Sequence, residues 1–151
     1  MKRRMLFATV LSLFLTTCVD ESEKLTIPFA AVSFELHCGS YDVELRNPMA
    51  YKIFTSSDRR LVSDRFGYAG LLVVTDVTGQ RLFAYDLCCP YEDNKNIKVL
   101  PSNDGKAECP SCGSVFLTMY GQGSVVSGPA KQSLQRYQVI PVYQDIYRIT
   151  N

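Results

Sequence analysis

Five cysteines beyond residue 30 are the side chains of this 151-residue sequence best suited to chemistry. Four of them form two clusters, Cys88-Cys89-Pro90 and Cys109-Pro110-Ser111-Cys112-Gly113. Cys-x-x-Cys followed by Gly makes a tight turn. Its two thiolates can face one ion while backbone N–H groups bond to the sulfurs. The first cluster is less specific, because adjacent residues in extended chain point to opposite sides. Cys89, set at a loop tip by Pro90, is therefore the expected ligand, and Cys88 is expected to pack inward. Two sulfur-tipped loops held together by a β framework would make a metal site from Cys89, Cys109 and Cys112.

Other reactive groups are scarce. The sequence has one histidine, His37, and no tryptophan, so a site built on two or three histidines is excluded. No Ser, His and Asp trio carries a flanking signature, and no carboxylate pair stands out. No catalytic residue is assigned, and at most the chain serves an oxidoreductase system as an electron-transfer component. His37, beside Cys38, reads as a hydrogen-bonded structural residue. Asp58-Arg59-Arg60 and Asp64-Arg65 read as a charged loop on the solvent face. The formal net charge is +1, and no basic patch supports nucleic-acid binding.

The elements that must position the cysteines are strands. Tyr41, Val43 and Leu45 alternate with Asp42, Glu44 and Arg46, the period of a half-buried strand. Leu71-Leu72-Val73-Val74 is a continuous apolar run suited to a strand buried on both faces. Asp76-Val77-Thr78-Gly79 is a turn that returns as a strand from Gln80 to Tyr85. Val115 to Tyr120, then Gly121-Gln122-Gly123, then Ser124 to Val126 reads as a hairpin. Tyr137 to Val142 and Ile146 to Ile149 close the chain with β-rich segments. Phe83, Tyr85, Phe116 and Tyr120 are expected in core and cross-strand packing. No long helical period is present, so the reading is one all-β domain over residues 25–151.

The stretch from Phe83 to Val139 resembles a Rieske iron–sulfur domain. That family's first box is Cys-x-His, and Cys89-Pro90-Tyr91 stands in its place. The second box is Cys-x-x-His-Gly, matched here by Cys109-Pro110-Ser111-Cys112-Gly113. Gly121, Ser127-Gly128-Pro129-Ala130, Leu134 and Tyr137 follow in the family's order. The resemblance implies an antiparallel β sandwich or barrel with a small two-loop cluster-binding subdomain, here about residues 86–130. It also implies a proline loop over the cluster and a Ser114 hydroxyl bonded to a cluster sulfide. The family's two histidine positions fall on Tyr91 and Cys112. Ser111 occupies the place of a Cys that forms an extra disulfide in some members, and Phe116 a place often held by Tyr.

Anionic ligands in place of neutral histidines would lower the potential of such a cluster. Three chemistries stay open at this point. One is a 2Fe–2S cluster with non-standard ligands drawn from Cys89, Cys109, Cys112 and either Tyr91 or Cys88. The second is zinc on three thiolates plus one further ligand. The third is no metal, with loop cysteines joined as disulfides in a cluster-free structural or binding protein.

The front of the chain supplies an address. Lys2, Arg3 and Arg4 precede an apolar run from Met5 to Thr16, which has signal-peptide length and is too short to span a bilayer as a helix. Leu15-Thr16-Thr17-Cys18 resembles a bacterial lipobox, with Thr17 in place of the usual Gly or Ala. The expectation is a signal peptide over 1–17, lipidation at Cys18 and a solvated tether over 18–24. The mature protein would then be lipid-anchored in the bacterial cell envelope, on an oxidising side of the membrane. It would serve a redox partner protein.

Overall fold

The computed structural model describes residues 26–151. The expected signal segment 1–17, Cys18 and the expected tether 18–24 lie outside those residues. Among the described residues, no helix is long and apolar enough to cross a membrane.

Among the described residues, eleven strands make two antiparallel sheets, accompanied by two short 3-10 turns. In chain order they are β1 (Val32–His37), β2 (Tyr51–Phe54), β3 (Arg65–Phe66), β4 (Leu71–Thr75), β5 (Leu82–Asp86), β6 (Leu100–Pro101), β7 (Lys106–Glu108), β8 (Val115–Leu117), β9 (Ser124–Ser127), β10 (Arg136–Tyr143) and β11 (Ile146–Thr150). The larger sheet runs β2-β4-β5-β10-β11-β1-β3 and curls into a nearly closed barrel. The smaller sheet runs β6-β7-β8-β9. All of it is inserted between β5 and β10, which remain paired through Tyr85 and Arg136. The four site cysteines fall inside this insertion.

The apolar run at 71–74 is a strand with both faces buried, as its composition requires. Strand alternation sends Leu71 and Val73 into one core with Phe34, Phe54 and Ile149. Leu72 and Val74 enter another core with Tyr85, Leu87, Phe116 and the cysteine loops. β5 alternates the same way, with Ala84 on the first side and Tyr85 on the second. The site is thus packed against the back of β4 and β5, two inner strands of the barrel sheet. The Tyr85 hydroxyl donates to the Thr118 carbonyl at 2.8 Å and ties the two sheets together. Phe116 is fully buried, but Tyr120 is 60% exposed and is not a core residue.

The alternating stretch at 41–46 is not a strand. It forms a turn and a 3-10 segment, Val43–Arg46, that exposes Tyr41 and Val43 and buries Leu45. The cause is Asp42. Its backbone N–H donates to the His37 carbonyl, and its carboxylate accepts the His37 N–H at 2.8 Å, which turns the chain back on β1. That carboxylate is fully buried and takes both terminal nitrogens of Arg60, at 3.0 and 2.6 Å, and Lys52 Nζ at 3.0 Å. The Arg60 guanidinium lies 5.0 Å over the Phe34 ring and 5.2 Å over that of Tyr41. Asp64 is also buried and accepts the N–H groups of Arg60 and Leu61. The charged loop at 58–65 is therefore no mere solvent face, because Arg60 is the partner of a buried carboxylate. His37 ends β1 with its ring 3.1 Å from a Glu35 oxygen, a structural role.

Burial pushes the Asp42 carboxyl up, but hydrogen bonds from Arg60, the His37 amide and Lys52 outweigh it. The result lies below the ordinary carboxylate value of 3.8. A depressed native pKa adds stability above the unfolded value and loses it as pH falls through the native one. Asp42→Asn should therefore cost about 3 kcal/mol at pH 7, the low end for a broken buried pair because Arg60 keeps 28% of its side chain in solvent. The gap between wild type and variant should narrow below about pH 4. Urea midpoints of both proteins across that range measure it.

Candidate metal centre

Both cysteine loops begin where a strand ends. β5 closes at Asp86, and Leu87-Cys88-Cys89 continues from it. Val99 N–H bonds back to the Leu87 carbonyl at 2.8 Å, and a single bridge pairs Cys88 with Lys98. The Asp93 N–H then donates to the Cys89 carbonyl at 3.0 Å and turns the first loop. The second loop follows β7 and returns as β8. It is closed by Gly113 N–H to the Cys109 carbonyl at 2.9 Å and by Cys109 N–H to the Ser114 carbonyl at 2.8 Å. Gly113 has φ +69, the left-handed turn that the sequence pattern demands.

These two loops meet. The sulfurs of Cys89, Cys109 and Cys112 all lie within 4.8 Å of one another, and Cys89 Sγ is 3.7 Å from Cys112 Sγ. The five described cysteines are free thiols. Cys89 and Cys109 are fully buried and Cys112 is half-buried, so the cluster sits just beneath the surface. Three thiolates in this arrangement could hold a metal ion. Cys88 is excluded from the trio, and its thiol reaches the Cys89 carbonyl at 3.6 Å. Tyr91 is 56% exposed.

The surroundings treat the sulfurs differently. Burial pushes the Cys89 thiol up to about 12, although the backbone amides of Tyr91 and Glu92 bond to its sulfur and pull the other way. Cys112 also pays for desolvation, but the hydroxyl and amide of Ser114, and the neighbouring Cys109 and Cys89 thiols, bring it below the ordinary thiol value. Burial and the adjacent Asp86 charge hold Cys88 up at about 12.

A third loop covers the second. Ser114 is fully buried, 3.1 Å from Cys112 Sγ, and its hydroxyl oxygen accepts the Ala130 N–H at 3.0 Å. Ser127-Gly128-Pro129-Ala130 thereby lies against the Cys-x-x-Cys turn. Gly128 has φ +93, and a Cβ there would come within 2.4 Å of Ser114 Cα, so only glycine permits this approach.

One functional support carried no motif. Asp86 is fully buried, and its carboxylate accepts the N–H groups of Tyr68 (2.6 Å), Ala69 (3.0 Å) and Cys88 (2.8 Å) and the Tyr137 hydroxyl (2.8 Å). Burial raises its pKa, and these four donors pull it back only in part. Its one available signal was position, a carboxylate at a strand end just before Leu-Cys-Cys.

Replacing Ser114 with Ala leaves the buried Ala130 N–H without a partner, which costs about 1–3 kcal/mol. The variant should show that loss in denaturant unfolding and faster amide exchange at Ala130. Ser114→Thr, which keeps the hydroxyl, should retain more of the protection. No family model matches this chain, and no curated protein matches its sequence.

Proposed function

We propose that the chain is an electron-transfer module of the bacterial cell envelope. In this reading Cys18 carries the lipid anchor, and the β domain holds a redox metal centre in Cys89, Cys109 and Cys112. A partner protein gives or takes the electron, since no catalytic group accompanies the site. The observation that carries the reading is the convergence of three sulfurs within 4.8 Å from two loops far apart in sequence. The amides of Tyr91, Glu92 and Ser114 around them are the outer-shell donors that stabilise metal-bound thiolate. The half-buried Cys112 leaves a short path for an electron to the surface.

A second reading has its own observation. Cys89 and Cys112 are 3.7 Å apart, close enough to close as a disulfide of about 2.0 Å with a small shift. An oxidising compartment favours that outcome for thiols without metal. The domain would then be a cluster-free binding or structural protein.

Mature protein purified without oxygen should contain a metal and show thiolate-to-metal absorption that changes on one-electron oxidation or reduction. Cys109→Ala should abolish both the metal and the absorption while far-ultraviolet circular dichroism stays unchanged. Colourless, metal-free wild type that gains two titratable thiols on reduction would instead establish the disulfide.

A further inference from the structure

The number of ions can be argued from the sulfur geometry. A two-iron cluster takes two protein ligands on each iron. The ligand pairs sit at opposite ends of the cluster, so the two ends cannot share one small sphere. Here all three sulfurs lie within 4.8 Å of one another, and no histidine or carboxylate among the described residues joins them. A metal–sulfur bond of about 2.3 Å places the sulfurs about 3.8 Å apart around a tetrahedral ion and about 4.0 Å apart around a trigonal one. The Cys89–Cys112 separation is 3.7 Å, the spacing for two ligands of one ion.

Nothing nearby supplies a second pair. The Ser114 hydroxyl is taken by Cys112 and by the Ala130 amide. Cys88 directs its thiol to a backbone carbonyl, and the Tyr91 side chain is mostly in solvent. His37 is packed in the other half of the fold against Glu35. The residues present therefore do not fit a Rieske-type cluster.

Resting on the metal-binding reading above, we propose that Cys89, Cys109 and Cys112 form a mononuclear three-thiolate site for one soft ion, Cu(I). Zinc would need water to complete its tetrahedron, since among the described residues no fourth side chain is offered. Thiolates select Cu(I) by softness, and copper also changes oxidation state by one electron. On binding, each thiol still protonated yields its proton to solvent and its sulfur lone pair to copper, with no change in oxidation state.

The test uses full-length protein, reduced and free of oxygen, titrated with Cu(I) against a competing chelator. One copper per chain is expected, with three sulfur neighbours and no second metal in the X-ray absorption spectrum. Cys88→Ala should keep that stoichiometry and Cys109→Ser should lose it, with circular dichroism confirming that both fold. Four sulfur neighbours, dependence on Cys88, or preferential uptake of zinc at equal concentrations would overturn the three-thiolate copper site. Reconstitution with iron and sulfide to two irons and two sulfides per chain would overturn it while leaving the metal-binding reading intact. Reduced wild type that takes up no metal of any kind would overturn both.

Discussion

The buried carboxylate of Asp86 is the point on which the cysteine loops depend. It stands at the last residue of β5 and gathers four donors from three separate segments. Tyr68 and Ala69 come from the turn between β3 and β4, Tyr137 from β10, and Cys88 from the loop itself. A carboxylate in this setting costs free energy unless it is bonded, and with four donors it becomes rigid. Gly67 shows how closely the turn is drawn in, since a Cβ there would come within 2.5 Å of Asp86 Oδ2. The direction in which the chain leaves β5, and hence where Cys89 arrives, follows from these bonds.

The double burial of β4 and β5 gives that arrangement its stiffness. Each strand faces one core with its odd side chains and another with its even ones. The buried Asp42 carboxylate and its partly exposed partner Arg60 lie against the barrel core at Phe34, and the other core holds the cysteine loops. A full side chain buried from water is worth about 1.5–3 kcal/mol, so Leu71, Leu72 and Val73 together resist any slip in register. A slip of one residue would exchange the two cores and carry Asp86 to the wrong face. The inserted sheet inherits its orientation from a framework that is fixed on both sides.

Much of this was legible in residue order. The 71–74 run, the turn at Asp76–Gly79, the Phe116 hairpin and the two closing strands all carry local signals, because their pairing partners are neighbours in sequence. The convergence of Cys89 with Cys109 and Cys112 was legible from the spacing of the boxes. β1 also carried a signal, since Val32, Phe34 and Leu36 alternate with polar residues. The alternation at 41–45 misled for a physical reason. A period of two permits a strand but does not compel one, and Asp42 had a stronger use for its backbone and carboxylate in the turn against His37. Arg60 and Asp86 could not be read, because the carboxylate partner of Arg60 lies 18 residues away and the Asp86 donors Ala69, Tyr68 and Tyr137 lie 17, 18 and 51 away. Neither a charge nor a carboxylate announces such a partner in its neighbours.

Why three cysteines form the trio and the fourth does not follows from where their sulfurs point. Cys112 meets the hydroxyl and amide of Ser114, which support anionic sulfur there, whereas burial outweighs the two backbone amides at Cys89 and holds its thiol up. Cys88, one residue earlier, lies beside the Asp86 carboxylate, where a second negative charge is opposed. Burial and the adjacent Asp86 carboxylate hold Cys88 as a thiol. Adjacent cysteines of identical chemistry are sorted into ligand candidate and core filler by direction, Cys89 Sγ facing Cys112 Sγ at 3.7 Å and the Cys88 thiol turned to a backbone carbonyl.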